Sequence, residues 1–450
     1  MHPALLAIRD ATRGTPFERD LWLVGGAVRD ELLGLPAEAD FDLVTQGSAI
    51  DLARLIYERG GSNLPVTYER FGTAMVQVEG ASVELVTARR ESYDHASRKP
   101  TVEAASLEED ALRRDFTVNT LMRNLASGEL FDPLGIGLRD LGERILRTPL
   151  DPAATFHDDP LRMLRAVRFR WKLGFEPVAG LYEAIRAERE RLRIVSMERI
   201  RDEFVKMLLG PEAPSALDDL MDLGLYEVFA PEFLPMVGCE QGNFHHLDVW
   251  RHSLLVLSKV DGRDLVLRLG ALLHDVGKPP TRFVDADGNV RFFGHETVGA
   301  DIAREVLGRL KFPGKEIDLV VRLVRNHMRL GSSPFFTPAA ARRLLRDFEG
   351  DVERLLELVE ADAASLRPGV RALDLSQIRD QIERVAKETP VKTLQSPLSG
   401  QEIMEIAQVE PGPEVGRLKS ILTEAVLEGT IPPDDKEAAS RLLRQATHPS

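Results

Sequence analysis

Cysteine is nearly missing from this chain. Cys239 is the only one in 450 residues, so no intramolecular disulfide can form, and a reducing compartment, the cytoplasm, is the expected location. Long apolar runs are missing too: no stretch reaches the roughly 18 consecutive apolar residues of a membrane-spanning helix. The opening residues, MHPALLAIRDATRG, lack a basic region followed by an apolar core, so a secretion signal is not expected. Internal repeats and low-complexity tracts are also lacking. Positive charge is in deficit: the net charge of −14 by itself argues against nucleic acid as a partner. The deficit is uneven, however. Between Arg162 and Lys206 stand 12 basic and 7 acidic residues, a positive strip in an otherwise acidic chain.

What is present describes a globular protein of several domains. Hydrophobic residues make up 43% and charged residues 29%, ordinary values for a packed core under a polar surface. The first part of the chain mixes strands and helices. LWLVGG, FDLVTQ, TAMVQVEG and SVELVTAR are Val-rich and alternating, the strand pattern, while AIDLARLIYERG has helical spacing and a Gly stop. From Asp151 onward strand signals nearly vanish and amphipathic helical stretches dominate, among them PLRMLRAVRFRWKLGF. GPEAP, VDADGNV, LGSSPFFTP and LRPGVRALD mark turns or boundaries. The expected class is α+β: a small mixed head over 1–140, an all-α region over 141–235, a second over 236–366 and a helical C-terminal region over 367–450.

The stretch LVGGAVRDELLGLPAEADFDLV carries the first chemistry. Strand side chains alternate, so Asp40 and Asp42 point to one face and repel unless something positive sits between them. Alone, Gly25-Gly26 is an ordinary tight turn, and Asp-x-Asp an ordinary surface loop. In strand–GG–helix–strand order they read as a unit. Backbone N–H groups at the Gly turn suit a triphosphate, and the two aspartates suit two divalent cations, one activating an attacking hydroxyl and one steadying the departing pyrophosphate. Glu84 reads equally as a third carboxylate or as an exposed edge-strand charge.

VGGAVRDELLG…DFDLV, LRRDFTVNTLM, FDPLGIGLRDLGERILRTP and DDPLRMLRAVRF resemble, in order, the motifs of class II tRNA nucleotidyltransferases and bacterial poly(A) polymerases. The resemblance implies a polymerase-β-like head followed by a helical neck and body, with tRNA, CTP and ATP as partners and Mg²⁺ in the head. Asp40 and Asp42 match the family's metal pair, and Gly25, Gly26 and Arg29 its triphosphate-side motif. Arg113, Arg114 and Asp115, followed by Asn119, match the segment used around the ribose, where a carboxylate can accept from a 2′-OH. Read without the family, Arg-Arg-Asp is a salt-bridged helix start.

DDPLR places Asp159 and Arg162 three apart on an expected helix, hence on one face. The family pattern there is Glu-Asp-x-x-Arg, and Asp158 replaces the Glu. The resemblance makes Asp159 and Arg162 an amino-acid template for cytosine and adenine. Both bases offer an exocyclic amine to a carboxylate and a ring nitrogen to a guanidinium, whereas uracil and guanine reverse that order and leave a buried charge unpaired. The structural alternative is an i,i+3 surface ion pair. Arg165 and Arg168 continue the nucleotide-side motif and, with Arg170 and Lys172, open the positive strip expected to face the tRNA backbone.

A second signature lies in the middle of the chain. HHLDVWRHSLLVL, GALLHDVGKPPTRF, FFGHETVGADIA and VRNHMRL supply His252, His274, His295 and His327, with Asp275 next to His274. Imidazole and carboxylate suit a divalent metal, whose identity the pattern leaves open. The arrangement resembles the HD phosphohydrolase superfamily, with His252, His274 and Asp275 as the first three ligands and Asp362 in LVEADAAS as the last. The combination of such a head with an HD-like domain resembles bacterial CCA-adding enzymes.

RESYDHASRKPTVEAASLEEDAL falls where that family has a flexible loop involved in switching from C to A addition, and it is slightly short between Pro100 and Leu107. Full CCA and CC-only addition are expected alike, with A-only behind, and a CC-only enzyme needs an A-adding partner enzyme. A poly(A) polymerase is disfavoured, because the chain ends in PPDDKEAASRLLRQATHPS and not in a long basic tail. The competing reading makes the head a non-catalytic RNA-binding relic and the HD-like domain the working phosphohydrolase.

Overall fold

A computed structural model describes residues 1–36, 40–94, 97–242, 246–330, 336–367 and 375–447. Two compact units divide the chain, Met1–Pro231 and Glu232–Ser450. Among the described residues no helix is long and apolar enough to cross a membrane.

The first unit opens with helix α1 (Pro3–Thr12), strand β1 (Trp22–Val24), helix α2 (Gly26–Leu32) and strand β2 (Asp40–Thr45). Helix α3 (Ala49–Glu58) follows, started by the Ser48 side chain accepting from the Asp51 amide. Then come β3 (Val66–Tyr68), β4 (Thr73–Val78) and β5 (Ala81–Thr87), and later β8 (Met122–Asn124) and β9 (Leu130–Phe131). These seven strands form one sheet in the order β3-β4-β5-β2-β1-β8-β9, in which only the β2–β5 pair is parallel. Helices α1 and α3 cover one face, burying Leu5, Ile8, Leu52 and Ile56. On the other face Val24, Val44 and Met122 pack with Leu107 and Ala111 of helix α4 (Leu107–Leu112), which a Ser106–Glu109 capping box starts.

The segment expected as a flexible loop contains an antiparallel hairpin, β6 (Arg89–Asp94) with β7 (Ser97–Ala104). Residues 95 and 96 of that segment lie outside the described residues. Helix α5 (Gly137–Glu143) and a short parallel pair, β10 (Ile145–Leu146) and β11 (Glu176–Pro177), lead into helices α6 (Pro152–Asp158), α7 (Leu161–Leu173), α8 (Leu181–Glu188), α9 (Met197–Leu208), α10 (Ala213–Asp222) and α11 (Tyr226–Phe229).

One expectation is corrected here. Asp159 and Arg162 do not share a helix: α6 ends at Asp158, Asp159 is extended (φ −131°, ψ 98°), and α7 begins at Leu161. Pro160 is the cause, since a residue before proline is pushed out of the helical region. Asp159 instead accepts from the amide of Leu161, the first residue of α7, at 3.3 Å.

The second unit is helical, apart from the hairpin β12 (Arg282–Val284) and β13 (Val290–Phe292), whose turn was read as a break. Its helices are α12 (Val249–Leu257), α13 (Leu265–Leu273), α14 (Lys278–Thr281), α15 (His295–Arg309), α16 (Gly314–Asn326), α17 (Pro338–Phe348), α18 (Val352–Ala363), α19 (Ser376–Glu388), α20 (Gly400–Ala407), α21 (Pro413–Glu428) and α22 (Lys436–Thr447). The expected breaks LGSSPFFTP and LRPGVRALD fall largely on residues 331–335 and 368–374, outside the described residues.

Gly277 and Gly299 let two backbones meet. A Cβ on Gly277 would stand 2.1 Å from the His295 carbonyl oxygen and 2.5 Å from the Gly299 nitrogen. Gly277→Ala is therefore expected to force α15 away from the chain that follows Asp275 and to destabilise the second unit by about 1–3 kcal/mol. A thermal melt in which this variant unfolds at the wild-type temperature would contradict that packing.

Candidate active site and metal centre

The pleat and the register build the head site. Asp42 on β2 pairs with Glu84 on β5 and with Val24 on β1, and Asp40 pairs with Ser82. Asp40, Asp42 and Glu84 therefore stand on one face of the sheet, the face that α4 covers further along. Asp40 and Asp42 line a cavity of about 990 Å³. Withdrawal from bulk water raises the proton affinity of Asp42 above the usual carboxylate range, Asp40 adds to it, and Arg114, Arg165 and Arg113 pull against it. Burial likewise raises Glu84, with Asp42 the next cause. Burial thus disfavours the charge on Asp42 and Glu84, a bound cation would offset that, and hard oxygen donors on one face fit divalent magnesium.

Gly25 forms the adjacent wall at φ +74°, where a Cβ would be strained and would lie 3.4 Å from the Asp42 Oδ2. Arg29, in α2, is buried and committed: its Nη1 donates to Asn119 Oδ1 at 2.5 Å and its Nε to Asp30 at 2.7 Å. Arg113 and Arg114 are gripped by a carboxylate that the sequence reading did not single out. Asp110, fully buried, takes Nε and Nη2 of Arg113 on one oxygen at 2.9 and 2.6 Å, and the same pair from Arg114 on the other at 3.1 and 2.9 Å. The signal was available, since Asp110 stands three and four residues before the arginine pair.

Asp115 lies deeper. Its Oδ1 accepts from the Phe116 amide at 2.8 Å and Asn119 Nδ2 at 2.9 Å, and its Oδ2 from Arg165 Nε and Nη2 at 2.8 and 2.5 Å. Burial alone would raise its pKa. The Arg165 charge and these hydrogen bonds outweigh burial and hold it far below the carboxylate range. Arg29, Arg165 and Arg168 surround the Phe169 ring at 5.0, 5.3 and 4.2 Å from its centre. Arg168 donates to Glu203 of α9 at 2.6 Å. Arg162 donates to the Arg113 carbonyl oxygen, tying α7 to the Arg-Arg-Asp segment, while Asp159 stands 3.6 Å from Arg199. Asp115, Arg165 and Arg168 border the cavity; Asp159 and Arg162 are set back from its wall.

In the second unit Asp275 is the centre. Its Oδ2 lies 3.0 Å from His274 Nε2, 3.6 Å from His252 Nε2 and 2.7 Å from Lys278 Nζ. Its Oδ1 lies 3.5 Å from His295 Nε2 and 3.7 Å from His327 Nε2. Asp362, on α18, reaches His252 Nε2 at 2.9 Å. The four expected ligands are thus brought together. His295 and His327, which no spacing rule tied to the set, form a second triad with the same Asp275. His274, His295 and His327 each place Nδ1 at 2.6–2.8 Å from a backbone carbonyl oxygen, of Ala271, Phe292 and Val324, which leaves Nε2 to face Asp275. The buried Nε2 of His274 has the Asp275 carboxylate beside it. Burial, with the His274 charge next, pushes His327 down to about 4, so it is a neutral donor at physiological pH. This donor set fits a divalent metal.

Asp110 generates a test. Burial opposes its ionisation, but Arg114 and Arg113 win and its pKa is lowered on folding. Its stabilisation is therefore complete above the unfolded carboxyl's value of about 3.9 and is lost as pH falls through the lower folded value. Asp110→Asn is expected to cost about 3–5 kcal/mol near neutrality. The gap to wild type in denaturant unfolding should narrow as pH drops below about 4. A gap that stays constant with pH would exclude this account.

Known proteins match this chain over most of its length. Residues 21–147 match the model of the Poly A polymerase head domain, 174–236 that described as "Probable RNA and SrmB- binding site of polymerase A", and 244–366 the HD domain. The A-adding tRNA nucleotidyltransferase of Deinococcus radiodurans is 36% identical over 431 residues, covering 92% of this chain and 93% of that protein. The CC-adding tRNA nucleotidyltransferase of Thermus thermophilus is 35% identical over 94% of this chain and 93% of its own length. The crystal structure of the Bacillus stearothermophilus CCA-adding enzyme in complex with CTP superposes with a TM-score of 0.69 at 26% identity, covering 99% of this chain and 98% of the other. With the Gly turn, the strand carboxylates and the Arg-Arg-Asp segment converging on one cavity, and with such relatives matched nearly end to end, the chain belongs to the tRNA nucleotidyltransferase family.

Proposed function

We propose that the first unit transfers CMP, AMP or both from CTP and ATP to the 3′ end of tRNA. The observation that carries this reading is the set of Asp40, Asp42 and Glu84 on one sheet face, with Asp40 and Asp42 lining a cavity that Gly25 and Arg114 also wall. Asp40 and Asp42, with Glu84 beside them, would hold Mg²⁺, which when bound supplies activation of the attacking hydroxyl and neutralisation of the departing pyrophosphate. Gly25 and Gly26 bring the backbone close to the phosphates without a Cβ in the way. Arg114 adds positive charge on the same wall, and Asp115 faces the ribose. Asp159 and Arg162 read the base edge once their contacts to Arg199 and to the Arg113 carbonyl oxygen are released. The positive strip along α7 to α9 holds the tRNA backbone.

The product is the finer question. The short segment before Leu107 points to CC addition, and set against an ordinary change in loop length it leaves CCA and CC equally weighted. The A-adding relative, matched over more than nine-tenths of the chain, supports giving A alone equal weight. A one-step enzyme needs a partner enzyme for the remaining nucleotides, and the cytoplasm, where tRNA matures, is the expected place for both.

A tRNA transcript ending at its discriminator base, incubated with CTP, ATP or both and Mg²⁺, should gain nucleotides that sequencing of its 3′ end identifies. Asp42→Ala should reduce transfer on the order of a thousandfold. Activity that survives this substitution would sink the reading.

The intact cluster around Asp275 supports a second reading, metal-dependent hydrolysis of a phosphate ester by the second unit. His252, His274, Asp275 and Asp362 would hold one ion, and Asp275, His295 and His327 a second, supplying Lewis acidity to the phosphate when bound. Asp275→Asn is expected to abolish metal retention, measured by elemental analysis after dialysis, while His295→Ala keeps one equivalent. Equal loss in both variants would contradict two triads sharing Asp275.

A further inference from the structure

The Asp115 carboxylate has no acceptor capacity to spare. Ionised carboxylates offer about four lone-pair sites. Those of Asp115 are filled by the Phe116 amide, Asn119 Nδ2 and two nitrogens of Arg165. A ribose hydroxyl can donate to it only if one of these leaves. The Phe116 amide is backbone. Asn119 is locked from behind, because its Oδ1 accepts from the buried Arg29 at 2.5 Å. Arg165 is different: its side chain is 32% exposed, and a second carboxylate is near, with Glu203 Oε1 3.9 Å from Arg165 Nη1. Glu203 is itself buried and holds Arg168 at 2.6 Å and Lys206 at 3.2 Å, so its charge is fixed in place beside the cavity.

We propose that Arg165 is a displaceable gate on the ribose subsite, which leaves Asp115 for Glu203 when a ribonucleotide binds, so that Glu203 is a positioning residue that sets sugar selectivity without touching the nucleotide. This rests on the reading of Asp115 as the ribose-facing carboxylate. In the free protein the ion pair keeps Asp115 from being an unpaired buried charge. A 2′-OH supplies the replacement donor, and Glu203 supplies the landing place for the guanidinium. A 2′-deoxynucleotide has no such donor and leaves the gate shut. Selectivity thus arises from an exchange of partners within the protein as well as from the new hydrogen bond itself.

The test compares CTP with 2′-deoxy-CTP on the full-length protein, with tRNA as acceptor, and reads KM and kcat separately. Glu203→Gln keeps shape and removes the charge that receives Arg165. It is expected to raise the KM for CTP about tenfold, the equivalent of one hydrogen bond to a charged group, and to leave that for 2′-deoxy-CTP within about twofold. A purely structural role for Glu203 would move both nucleotides together, and that result overturns the proposal. The ratio of the two kcat/KM values is independent of how much of a preparation is folded, so partial misfolding of the variant does not obscure it. Arg165→Met supplies a second check: with the gate gone, Glu203→Gln should no longer change the ratio, and an undiminished change overturns the exchange. Asp115→Asn should erase the discrimination. If the wild type does not discriminate at all, the ribose reading of Asp115 fails and the gate with it. If it discriminates but Glu203→Gln shifts both nucleotides alike, only the gate fails.

Discussion

Three guanidinium groups, from Arg29, Arg165 and Arg168, meet around the ring of Phe169. Like charges so close repel strongly in a partly desolvated setting, and the aromatic face offsets only part of that repulsion. Asp30, Asp115 and Glu203 make the arrangement tenable, each bonded to one of the three arginines. These carboxylates come from three places: α2, the Arg-Arg-Asp segment and α9. Balancing the charges around one ring therefore fixes α2, the segment that follows α4, and helices α7 and α9 relative to one another. The cavity takes its shape from that balance, because Arg29, Asp115, Arg165 and Phe169 all border it.

The parts of this site that follow local periodicity were legible in the sequence. Asp40 and Asp42 on one face follow from the pleat alone, and Gly25 at positive φ follows from the turn it must make. Glu84 could not be decided from the sequence, because its neighbourhood depends on the β2–β5 register, a pairing of residues some forty positions apart. Asp159 and Arg162 were misplaced by treating DDPLR as one helix, although Pro160 carried the warning. Glu203 gave no sign. Its partners, Arg165 and Arg168, stand on another helix, and only the packing of α7 on α9 brings the three together.

The second unit shows the same division. His274 and Asp275 were legible as an adjacent pair, and Asp362 was placed by resemblance. His295 and His327 look like any helical histidines in sequence. What reveals them is the way their Nδ1 atoms are held by the carbonyl oxygens of Phe292 and Val324. Gly277 and Gly299 are silent in sequence as well, yet their contact sets how close α15, and so His295, comes to Asp275.

The grip of Asp110 on Arg113 and Arg114 also bears on how a charged ligand is drawn in. One anion shared by two cations leaves a cluster whose far field is that of a single positive charge. At long range the segment attracts a triphosphate only weakly, and screening by salt acts on one charge, not two. At contact, the guanidinium of Arg114 is already oriented, so little side-chain freedom is lost on binding. Affinity for the phosphates should therefore depend less on ionic strength than the number of arginines in Arg-Arg-Asp suggests.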